Sequence, residues 1–121
     1  MEFKSNKGIF LQIADNLCNQ ILEGKLQPGD RVPSVRDLAI ELEVNRNTVM
    51  RSYSYLNDEE IFVNKRGIGF FVNDIALKKI EEKDKKDFFE NEMPYIIEKI
   101  KLLKLNSADF KEVIKELKNN D

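Results

Sequence analysis

The stretch from Val44 to Asn57 holds Arg46 and Arg51 and no acidic residue, in a chain that is 35% charged. At about 100° per residue on a helical wheel, Asn47, Arg51 and Ser54 point away from Val49, Tyr53 and Leu56, with Arg46 in the leading turn beside them. These residue types suit duplex DNA. Arg46 can fork onto guanine O6 and N7, Asn47 can pair with adenine, and Thr48 and Arg51 are placed for phosphates. A carboxylate here would be repelled by the phosphates lining a groove. Two further groups match this chemistry. Arg36 lies near the start of a preceding short helix, where it can clamp the backbone; the competing reading is a salt bridge to Asp37 or Glu41. Lys65-Arg66-Gly67 is a basic tip that suits a minor groove or its phosphates, and Gly67 lets the backbone come close. Arg31 reads mainly as structural.

Other chemistries are poorly supplied. The chain has no histidine and one cysteine, Cys18. Zinc sites, histidine triads and Cys-His dyads are therefore closed, and no metal or cofactor is expected. Glu59/Glu60 and Glu81/Glu82 read as solvated faces rather than acid–base pairs, and the chain reads as a non-enzyme. Tyr53, Tyr55, Phe62, Phe70 and Phe71 have core spacing rather than that of a base-stacking platform. Cys18 lies on an apolar stripe and reads as inert. A single cysteine suits a reducing cytoplasm, and neither a signal peptide at MEFKSNKGIF nor a membrane span is expected.

Bulk charge does not point to nucleic acid. The net charge is -2, and residues 1–74 carry nine Lys/Arg against eleven Asp/Glu. The tail from residue 75 carries eleven of each. All five arginines (Arg31, Arg36, Arg46, Arg51 and Arg66) fall in the first part, so any DNA-facing charge is local.

Positioning these groups requires a specific set of elements. Ile13, Leu17 and Ile21, flanked by Phe10, Ala14 and Cys18, make the apolar stripe of a helix over 8–23, stopped near Gly24. After the Pro28-Gly29 turn, Asp30-Arg31-Val32 suits a brief strand. Ser34 and Asp37 form a capping pattern for a helix over 35–42, with Val35, Leu38, Ala39 and Leu42 on its apolar face. Asn45 caps a third helix from Arg46 to Asp58. Two short helices joined by three or four residues, with one before them, make a trihelical helix-turn-helix. Residues 61–73 change to strand patterning around Lys65-Arg66-Gly67-Ile68-Gly69, a hairpin in the wing position.

The fold class expected is mainly α with a small β-hairpin. Residues 1–74 form a winged helix-turn-helix and residues 75–121 an all-α tail. Within the tail, helices are expected over 75–90 and 92–105, and a last one capped by Ser107 with Val113 and Leu117 on its apolar face. Pro94 either opens a new helix capped by Asn91 or kinks one long helix. The tail holds some fifteen large apolar residues in 47, more than three short helices bury alone. Ile80, Phe88, Phe89, Met93, Ile96, Ile97, Ile100, Leu103, Phe110 and Ile114 are its candidate dimerisation residues. A homodimer on double-stranded DNA is expected, the alternative for the tail being that it folds back on its own winged domain; a non-DNA protein-interaction module is the rival reading of function.

The runs Phe10-Leu-Gln-Ile-Ala, Leu26-Gln-Pro-Gly-Asp-Arg-Val-Pro-Ser-Val-Arg-Asp-Leu-Ala, Val44-Asn-Arg-Asn-Thr-Val and Arg66-Gly-Ile-Gly-Phe-Phe-Val resemble the GntR family of bacterial regulators, over about residues 9–73. The resemblance implies a winged-helix dimer on a pseudo-palindromic operator, with DNA contacts at Arg36, Arg46, Thr48 and Gly67; the function expected is a repressor. Many members carry a basic residue at the position of Met50, so Arg51 is the candidate substitute here. The tail is too short for the usual effector domain and is similar to that of the YtrA-like subfamily. That subfamily dimerises through a short helical tail and often controls operons for ABC-type transporters. A small-molecule effector between tail helices is a further candidate partner, though no residue pattern marks its site.

Overall fold

The structure is a computed structural model that describes residues 8–121. The expected absence of a leader falls mostly on residues 1–7, outside the described residues, as does the start of the expected first domain.

The chain forms two compact units, residues 1–83 and 84–121. In the first, helix α1 (Ile9–Leu22) buries Ile13, Ala14, Leu17 and Ile21, the four-residue stripe expected of it, and ends before Gly24. Helix α2 (Val35–Leu42) starts where Ser34 Oγ accepts a 3.0 Å hydrogen bond from the Asp37 N–H, so the expected cap forms. It stops at Glu43, whose φ of 55° turns the chain out of the helix. Helix α3 (Arg46–Asp58) starts at Asn45, whose Oδ1 accepts from the Asn47 N–H at 2.7 Å.

Strands β1 (Phe62–Lys65) and β2 (Gly69–Val72) pair antiparallel, Lys65 opposite Gly69 and Phe62 opposite Val72. The brief strand expected near Arg31 is a single bridge to Phe71. It is flanked by hydrogen bonds from Val72 N–H to the Asp30 carbonyl (2.8 Å) and from Val32 N–H to the Phe70 carbonyl (3.0 Å).

The core joins Leu17 and Ile21 of α1, Leu38 and Ala39 of α2, Val49, Tyr53 and Leu56 of α3, and Phe62 and Val72 of the hairpin. Burying each large aliphatic side chain contributes about 1.5–3 kcal/mol. Tyr53 is buried among Phe62 and Phe70, edge-on to both at 5.2 Å, and its hydroxyl donates to the Pro33 carbonyl at 2.7 Å. That bond ties α3 to the entry of α2.

The first unit runs nine residues past the expected boundary at Asp74. The first part of helix α4 (Ala76–Asp87) buries Ala76 and Ile80 in the winged core. Ile80 is 1% exposed, so its assignment to a dimer surface is corrected: it packs within its own chain. Lys79 pairs with Glu60 and Lys83 with Glu59, each at 3.3 Å, and the Lys83 ammonium also donates to the Tyr55 hydroxyl. The sequence shows Ile80 on a helix after the wing, but no local pattern says which partner that helix meets.

In the second unit a π-helical turn (Phe88–Glu92) leads into helix α5 (Met93–Leu103), with Pro94 in its first turn. Pro94 has no N–H, and its ring would meet the carbonyl four residues back in a regular helix; the wider turn accommodates both. Asn91 forms no cap and instead donates to Asp87 Oδ1 at 2.7 Å. Asn106, rather than Ser107, is the next cap. Its side chain and that of Asp109 accept from each other's backbone N–H at 3.1 and 2.9 Å, around a 3₁₀ turn (Ser107–Phe110) before helix α6 (Lys111–Asn119).

No residue from 84 to 121 is buried. Phe89 and Leu117 are each 60% exposed and Leu102 is 69% exposed. Phe88 meets Phe89 edge-on at 5.2 Å, while Phe88, Met93, Ile96, Ile100 and Phe110 are half-buried. Ile97, Leu103 and Ile114 are exposed. Among the described residues, no helix is long and apolar enough to cross a membrane.

Candidate nucleic-acid interface

Helix α3 divides as its wheel requires. Val49, Ser52, Tyr53 and Leu56 are buried, while Arg46, Asn47, Met50, Arg51 and Ser54 are exposed and Thr48 is half-buried. Ser52 is the one polar member of the buried face. Its hydroxyl donates to the Phe10 carbonyl at 2.7 Å, which fastens the start of α1 to the middle of α3. That seat lets α3 present its outer side chains on a fixed backbone.

Arg51 is not a loose surface cation. Its guanidinium carbon lies 4.1 Å from the centre of the Phe10 ring, and Phe10 meets Tyr55 edge-on at 6.2 Å. A guanidinium over a ring face is attracted by the ring quadrupole and keeps its in-plane N–H groups available. Spacing puts Phe10 beside the apolar stripe of α1; its second role depends on where α3 crosses α1, which spacing does not encode.

Arg36 is exposed in the first turn of α2, and among the described residues it forms no ion pair with Asp37 or Glu41. Its charge is therefore not neutralised by either. The hairpin tip is also exposed. The Ile68 N–H donates to the Lys65 carbonyl at 2.9 Å, and Gly67 has φ 80°, which a type II turn demands at its third residue. Lys65 Nζ lies 4.3 Å from the centre of the Phe71 ring. Arg66 is exposed.

Of the aromatic residues, Tyr53 and Phe62 lie in the core and Tyr55 and Phe70 pack half-buried against it, as expected, whereas Phe71 is half-buried outside that cluster, beneath Lys65. Burial, and secondly the charge of Glu41, push the Tyr53 hydroxyl above its ordinary range; it stays neutral and does no acid–base work near neutral pH. Among the described residues no group of three or more acidic or thiol side chains could hold a metal ion. Cys18 packs half-buried against the core.

Comparison with known proteins settles the class. Residues 10–72 match the family described as bacterial regulatory proteins, gntR family. The chain belongs to the GntR family. It is 43% identical over 84 residues to the HTH-type transcriptional regulator YhcF of Bacillus subtilis, covering 69% of each protein. It is 34% identical over 100 residues to the HTH-type transcriptional repressor YtrA of the same organism, covering 83% of this chain and 71% of YtrA. A GntR-family transcriptional regulator from Bacteroides thetaiotaomicron superposes with a TM-score of 0.76 at 38% identity, over 93% of this chain and 98% of the other.

This GntR chain is thus a YtrA-like transcription regulator and not an enzyme. GntR regulators bind DNA, which makes the exposed face of α3, Arg36 and the wing the candidate DNA-binding groups.

Proposed function

We propose that the protein binds an inverted-repeat operator as a homodimer and represses transcription of a transporter operon. One observation carries the reading: α3 presents Arg46, Asn47 and Arg51 to solvent on a helix without acidic side chains before Asp58, while its opposite face is locked into the core. In a helix-turn-helix the second helix of the motif enters the major groove. Arg46 and Asn47 then read base edges, while Thr48, Arg51 and Arg36 hold phosphates. Lys65, Arg66 and Gly67 meet the neighbouring minor groove.

The tail supports the two-fold arrangement. No residue of 84–121 is fully buried, and helices as short as α5 and α6 are marginal in isolation. Phe89, Met93, Ile96, Ile97, Ile100, Leu103, Phe110 and Ile114 would be covered by the same surface of a second copy, an isologous contact. An effector of the tail would act by changing the separation of the two reading heads. Likeness to the YtrA-like regulators supports control of a transporter operon.

Hydroxyl-radical footprinting on the duplex upstream of the gene itself tests the proposal. Two symmetric protected patches separated by about one helical turn, or a multiple of it, are expected. A single asymmetric patch contradicts the two-fold reading.

A further inference from the structure

Arg31 lies outside the recognition helix and 37 positions before the wing tip residue it touches. Its Nη2 donates to the Ile68 carbonyl at 2.6 Å. Its backbone joins the hairpin through the bridge to Phe71. The guanidinium runs across the bare Cα of Gly69: a Cβ there would stand 3.3 Å from Nε and 3.4 Å from Nη2. Gly69 has φ 143°, a conformation that side-chain-bearing residues rarely adopt. The strand residue next to the tip is therefore shaped to let an arginine pass.

The consequences follow from the geometry of the hairpin. β1 and β2 have four residues each, and the tip Arg66-Gly67-Ile68 is held within the hairpin by the Ile68–Lys65 hydrogen bond. Arg66 and Gly67 are exposed, and nothing lies within 4 Å of where a Cβ on Gly67 would stand. An exposed two-stranded tip of this length is intrinsically loose. The Arg31 guanidinium supplies a second tether, from a segment anchored to the core at Val32.

We infer that Arg31 is a positioning residue for DNA reading: it holds the wing tip, and with it Lys65 and Arg66, in the arrangement that meets the groove. The inference rests on the DNA-binding reading above. Its energetic scale is that of one hydrogen bond, so losing the tether weakens operator binding roughly three- to tenfold.

The experiment has two arms on the full chain. In the first, without DNA, heteronuclear NOEs of the 66–68 amides are measured for wild type, Arg31→Met and Arg31→Lys. Methionine should loosen the tip without altering α3, and lysine, which retains one donor within reach, should restore part of the order. A tip that is as rigid with methionine as with arginine overturns the inference. In the second arm, operator affinity is measured for Arg31→Met, for Lys65→Ala/Arg66→Ala, and for the three changes together. Arg31→Met should weaken binding, and should add little once the wing cations are gone. Additive losses would mean that Arg31 touches DNA independently and would overturn the positioning role. A wild-type chain that binds no duplex overturns the DNA-binding reading itself, and the DNA role of Arg31 with it.

Discussion

The guanidinium of Arg51 stacks on the ring of Phe10, so the first turn of α1 forms the seat for a cation of α3. The same α1 turn accepts the Ser52 hydroxyl at the Phe10 carbonyl. Helices α1 and α3 are thus joined at a point where one side chain of α3 faces the core and its neighbour faces solvent. Phe10→Leu keeps most of the apolar bulk and removes the π face. Operator binding should weaken by up to about fivefold, matching about 0.5–1 kcal/mol for an exposed cation–π pair. Fluorescence anisotropy on the operator duplex checks this, with an unchanged melting temperature as control.

Arg46 leads α3 and has no partner in the protein among the described residues. Arg46→Ala should cost about 1–3 kcal/mol of operator binding and flatten base preference at one position per half-site. Binding to a library of single-base operator variants reads this directly. Equal losses on specific and random duplex would assign Arg46 to phosphate.

The first unit ends at Lys83, and its core includes Ala76 and Ile80. A chain stopped after Lys83 should fold as a monomer that binds a single half-site weakly. A chain stopped after Asp74 should be destabilised by about 2–5 kcal/mol, the scale of removing a large core side chain. Urea denaturation and sedimentation of the two truncations distinguish these outcomes.

Burial holds the Tyr53 hydroxyl in its neutral form above the ordinary tyrosine range. The unfolded chain releases that proton at about pH 10 while the folded chain keeps it, so the unfolded state binds fewer protons there and stability falls as pH rises. Tyr53→Phe should cost about 0.5–1.5 kcal/mol below pH 9, the value of the hydrogen bond to the Pro33 carbonyl. The difference between wild type and variant should shrink above pH 10. Thermal melts from pH 7 to 11 test the crossover.

Much of the first unit was legible because its signals are local. Ser34 and Asn45 mark helix starts by side chains that reach the next turn, and the four-residue step of Ile13, Leu17 and Ile21 marks the buried face. The candidate DNA-facing residues were legible for the same reason: a wheel separates Arg51 from Tyr53 without knowing any tertiary contact. Other features were not local. Whether α4 belongs to the winged core depends on a pocket that receives Ile80, formed by residues distant in sequence. The Arg31–Ile68 tether spans 37 positions, so neither partner signals the other. In the tail, Asn106 and Ser107 are both capable caps, and backbone φ/ψ decides for Asn106. Pro94 allowed a new helix or a kink, and a π-helical turn provides the break without a cap.

The most direct test of DNA recognition is the salt dependence of binding to the duplex upstream of the gene. Phosphate contacts release counterions, so log K should fall linearly with log salt, with a slope of about −0.9 for each phosphate neutralised. With Arg36, Arg51 and the wing cations engaged on both half-sites, affinity should fall by about 10³ or more between 50 and 200 mM salt, and operator should stay tighter than random duplex throughout. No binding at low salt, or binding indifferent to salt and sequence, would contradict it.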